Sequence, residues 1–102
     1  MPVLRNDDFE RASEASAMCP DPRAGHYWNP DKETARAASQ ALHITAELPE
    51  AWDVFLVFAP DAKWGSGEPM PAPAAWMLGG NDKDPRYITA QRLDQIVRAL
   101  LQ

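Results

Sequence analysis

A single cysteine, Cys19, excludes an internal disulfide and any zinc knuckle built on several cysteines. Only two histidines are present, His26 and His43, and neither stands at a compact metal-ligand spacing. The five glycines form no phosphate cradle, since WGSGEP offers a bare GxG with no helix behind it to supply amide donors. Basic residues are few and scattered: ten against fifteen acids, for a net charge of −5. A nucleic-acid binder gains affinity by neutralising phosphates, so this balance argues against DNA or RNA. The acids are also too interspersed to imitate DNA. No run approaches the ~18 apolar residues of a membrane span. The opening stretch MPVLRNDDFERAS turns acidic without a hydrophobic signal core, so a cytoplasmic location is expected.

What remains is an ordinary globular composition, 45% hydrophobic and 25% charged. The length suits a single domain over residues 1–102, with 1–25 the segment most open to loose attachment. Ten prolines are about double the usual share and fall mainly in connections.

Asp7-Asp8-Phe9-Glu10 carries a carboxylate cap and a first-turn acid, which predicts a short helix over 8–18 with Phe9, Ala12, Ser13 and Ser16 on one face. Pro20 and Pro22 stop it. Asn29-Pro30 predicts a second helix entry, continuing through DKETARAASQALH with Ala35, Ala38 and Leu42 inward. Small residues on that face imply close approach to a neighbouring element. WDVFLVFA is apolar on both faces and reads as a central strand covered on both sides. AWML reads as a second strand, paired across the GGNDKDP turn with a third, RYI. Thr89 caps a last helix whose stripe of Leu93, Ile96, Val97, Leu100 and Leu101 is expected in the core. The expected fold class is α+β: a small antiparallel or mixed three-stranded sheet with helices packed on it, in the order α-α-β-β-β-α.

Few residues suggest chemistry. Cys19 and His26 share one loop, and a thiol with a histidine base could serve a small hydrolase or transferase. Against this, Cys19 follows a weak helix instead of preceding a helix N-terminus, and lone cysteines are usually small hydrophobes. The pairs Asp7–Asp8 and Asp82–Asp84 sit among polar neighbours, where capping and turn formation explain them. No catalytic residue, metal or cofactor is expected.

The aromatic residues are more informative. Four tryptophans are many for this length. Trp52 and Trp76 alternate in phase with strand neighbours and are expected in the core. Trp64 stands in the long proline-rich loop 60–76, flanked by Lys63 and Gly65, and is expected to be exposed near Trp76 or Tyr87. Pro69, Pro71 and Pro73 keep the following segment extended, so little entropy is lost when a partner docks there. A rigid cover over the core would use the same residues.

The favoured expectation is a non-enzymatic binding module. Its candidate residues are Trp64, Pro69, Met70, Pro71, Trp76 and Tyr87, and its partner a protein, a peptide or a small apolar ligand. A homodimer joined through its apolar surface is the alternative to such a module.

Overall fold

Asp8 opens the first helix, α1 (Phe9–Ser16), by accepting the Arg11 N–H at 2.9 Å. The structure is a computed structural model and describes residues 1–2, 5–66 and 69–102. The expectations that touched Gly67 and Glu68 lie outside the described residues. The second helix, α2 (Glu33–Ala41), starts later than Asn29 predicts. Asn29 instead accepts the Asp31 N–H, and Asp31 accepts the Glu33 N–H, so two successive Asx turns lead into the helix.

At its far end α2 closes with His43 in the left-handed region at φ 58. The Ile44 N–H bonds the Ser39 carbonyl and the His43 N–H bonds the Gln40 carbonyl, which is the Schellman pattern. Glycine is the usual residue there because a Cβ is crowded in that conformation. His43→Gly is therefore expected to raise unfolding stability by about 1 kcal/mol in urea titration. A loss of stability would mean that the imidazole makes a contact worth more than the backbone strain.

Two strands come next, β1 (Val54–Val57) and β2 (Ala75–Leu78), and then a final helix, α3 (Ala90–Leu100). The strands pair antiparallel, with Val54 opposite Leu78 and Val57 opposite Ala75. The long loop thus connects the two arms of one hairpin. The chain is α+β, but the three-stranded sheet in the order α-α-β-β-β-α is not formed. Its third strand fails for a geometric reason. Tyr87 meets Leu78 in a single parallel bridge, held by Leu78 N–H to Arg86 O at 2.8 Å and Ile88 N–H to Leu78 O at 2.9 Å. A parallel neighbour needs a crossover of a dozen or more residues, and residues 79–86 are too few to build one.

Arginines hold this segment instead. Arg86 pairs with Asp84 at 3.0 Å and Glu47 at 2.8 Å, and its guanidinium lies 5.1 Å over the Trp76 ring. Hydrogen bonds from Arg86 draw the Asp84 and Glu47 carboxyls below their ordinary range and push the guanidinium up. Arg92 donates to the carbonyls of Pro85 and Tyr87 and so ties the start of α3 to the same place.

The buried centre is small. It comprises Ala35, Ala38, Ser39, Ala51 and Met77. The Ala51 N–H bonds both the Ser39 hydroxyl at 2.9 Å and the Ala35 carbonyl at 3.1 Å. The small face of α2 therefore admits backbone, as its composition implies. Among the described residues, the core expected on the strands and the last helix is formed only in part. Trp52 is 57% exposed and Phe55 44%, so β1 is not covered on both sides. Leu93 and Val97 are exposed and Leu100 half-buried, because α3 makes no extensive contact with the sheet.

The accessible surface is 7941 Å², against about 5700 Å² for a compact monomer of 11.3 kDa. The radius of gyration, 14.5 Å, likewise exceeds the ~13 Å usual for this length. Much apolar surface is thus left open.

Candidate functional site

An apolar surface lies outside the proline-rich loop. It begins in the connection between α1 and α2. Asp21 accepts the Arg23 N–H and grips the Arg23 guanidinium at 2.7 Å, which draws the Asp21 carboxyl below its ordinary range. The His26 Nε2 donates to the Cys19 carbonyl at 2.9 Å. These bonds fold residues 19–26 back on themselves and present Tyr27 and Trp28 beyond them. Gly25 lets the Tyr27 ring lie close against the backbone. A Cβ there would stand 2.9 Å from the Tyr27 ring.

Tyr27 is 95% exposed and Trp28 half-buried. On one side they face α1 across an open groove of about 480 Å³, lined by Phe9, Ala12, Ser13 and Ser16, the face read from helical spacing. On the other side they border a second compartment of about 410 Å³. Its walls and floor include Ala35, Ala51, Trp52, Val54 and Leu56. Trp52 then borders a third, also about 410 Å³, with Leu48, Pro49, Lys32 and Glu50. Glu50 takes Lys32 at 3.3 Å and Arg36 at 3.2 Å, and these cations hold its carboxyl below the ordinary range. The three hollows share bordering residues, Tyr27 and Trp28 between the first two and Trp52 between the last two, with paired charges at one end.

The residues singled out in loop 60–76 are not gathered into one surface. Trp64 is 61% exposed, as expected, but its ring meets Phe58 edge-on at 4.8 Å instead of Trp76 or Tyr87. Pro69 and Met70 border a hollow of about 300 Å³ at the end of α2, beside Ala37, Gln40 and His43. Pro71 is half-buried. Trp76 lies under Arg86, and Tyr87 is held in the bridge to Leu78.

Sequence reasoning missed Tyr27 and Trp52. The available signal was local: HYWNP puts adjacent aromatics in a loop with no apolar alternation, and Trp52 stands ahead of the first residue of β1. The catalytic alternative gains nothing from the geometry. The hydrogen bond of His26 goes to the Cys19 backbone, and the Cys19 thiol is exposed. Among the described residues no group of three or more His, Cys, Asp or Glu is placed to hold a metal, and no helix is long and apolar enough to cross a membrane. No protein family, characterised protein or solved structure among those compared matches the chain.

Proposed function

We propose that this protein is a non-enzymatic interaction domain that takes an apolar stretch of another polypeptide into the groove walled by Tyr27, Trp28 and Trp52. The observation that carries this is the exposure of Tyr27 and Trp52, 95% and 57%, in the lining of one hollow together with Ala35, Ala51, Val54 and Leu56. Tyrosine and tryptophan are the residues that most often dominate binding energy at protein interfaces. Open compartments that adjoin suit an extended chain better than a small ligand, which a pocket normally encloses over most of its surface. The Lys32–Glu50–Arg36 cluster at one end supplies a polar rim.

A displayed library of peptides with central apolar residues tests the reading, with affinities of the selected peptides measured by titration. Tyr27→Ala and Trp52→Ala are each expected to weaken binding by about tenfold or more, with melting temperatures close to the parent because both rings are exposed. Trp64→Ala serves as the third arm and is expected to leave affinity unchanged. Should Trp64→Ala alone abolish binding, the site is loop 60–76. Selection of no peptide at all would count against the proposal.

A further inference from the structure

A different surface, α3, points to a second partner. The helix is well made at both ends. Thr89 accepts the Arg92 N–H at 3.0 Å, and Arg92 anchors the first turn to Pro85 and Tyr87. Yet none of its residues is buried. Leu93, Val97 and Leu101 are 36%, 39% and 74% exposed and lie one turn apart along a single line. A helix held this firmly keeps an apolar line that the rest of the chain covers only in part. None of the residues lining the aromatic groove belongs to it.

We infer that α3 pairs antiparallel with α3 of a second copy of this chain, about a two-fold axis near Val97. Charge selects a second copy over another partner. Asp94 and Arg98 flank the apolar line on the same edge, 58% and 75% exposed, and are joined within the helix at 2.8 Å. In an antiparallel pair like edges meet. A two-fold near Val97 therefore brings Asp94 of each copy beside Arg98 of the other, and Leu93 opposite Leu101. The edge is complementary to itself, as an isologous contact requires.

Sedimentation equilibrium of the full chain over the micromolar range is the test. The parent chain is expected to dimerise. Asp94→Arg and Arg98→Asp should each weaken self-association about tenfold, since each sets like charges against one another across the axis. An equimolar mixture of the two variants is expected to recover a heterodimer of near-parental affinity. Repulsion within each helix persists in that mixture, so recovery reports charges meeting between chains. Val97→Asp is expected to yield a monomer with the far-ultraviolet circular dichroism of the dilute parent. A parent chain that stays monomeric at hundreds of micromolar overturns the inference. So does a mixture that behaves as the sum of its parts, or a Val97→Asp chain that still dimerises, which would place the contact on another face.

Discussion

Met77→Ala is expected to lower unfolding stability by about 3 kcal/mol, and Met77→Asp to prevent folding altogether. Met77 is 1% exposed and is the one large side chain in a buried set otherwise composed of Ala35, Ala38, Ser39 and Ala51. Its position follows from register. Met77 lies opposite Phe55, and in an antiparallel pair opposite residues project to the same face. Phe55 is 44% exposed and so covers it only in part.

Removing the thioether leaves a cavity that the paired strand backbone can close only in part. For a chain of this length 3 kcal/mol corresponds to a fall in melting temperature of at least about 10 °C. Met77→Leu keeps volume and apolarity and should cost less than ~1.5 kcal/mol. Urea denaturation followed by circular dichroism separates the two. An alanine variant as stable as the leucine variant would show that the centre of the fold lies elsewhere than under β2.

The helices and both strands are legible because each is written in local chemistry. Asp8 and Thr89 cap their helices, and VFLV and AWML have the apolar run and flanking breakers of strands. Pairing is not legible. AWML has two neighbours of suitable length, and nothing local says that it returns across loop 60–76 to β1 instead of turning at GGNDKDP. The short RYI segment is tied by the Arg86 clamp on Asp84 and Glu47, an interaction that periodicity does not encode.

Burial is hidden for a related reason. The stripe of α3 and the phase of Trp52 state which residues share a face, but not whether any element covers it. In this chain the apolar faces outnumber the elements available to bury them. The same assumption misplaces the candidate site. Apolar character and strand phase send Trp52 to the core, which leaves Trp64 as the exposed ring. Both are exposed, and it is Trp52 that stands beside Tyr27 and Trp28 at a groove.

Ser39→Leu is expected to destabilise the fold by about 3 kcal/mol and to disable the groove at the same time. Ser39 is fully buried, and its hydroxyl accepts the Ala51 N–H at 2.9 Å. Leucine removes that acceptor and adds bulk where backbone passes close to a helix, and overpacking alone costs ~1–3 kcal/mol. The Ala51 N–H keeps the Ala35 carbonyl as a partner, so Ser39→Ala should cost only about 1 kcal/mol. The difference between the two variants isolates steric exclusion from the lost hydrogen bond. Its consequence reaches the site because Ala35 and Ala51 line the compartment between Trp28 and Trp52. Pushing Ala51 away from α2 moves Trp52, its neighbour in the chain, off the groove. Peptides that bind the parent should then bind Ser39→Leu at least about tenfold more weakly at temperatures where it remains folded, while Ser39→Ala binds nearly normally. Tryptophan emission gives a separate check, since Trp52 should become more solvated in the leucine variant. Equal stability of parent and Ser39→Leu would show that α2 and the Ala51 backbone do not pack as closely as their shared hydrogen bonds require.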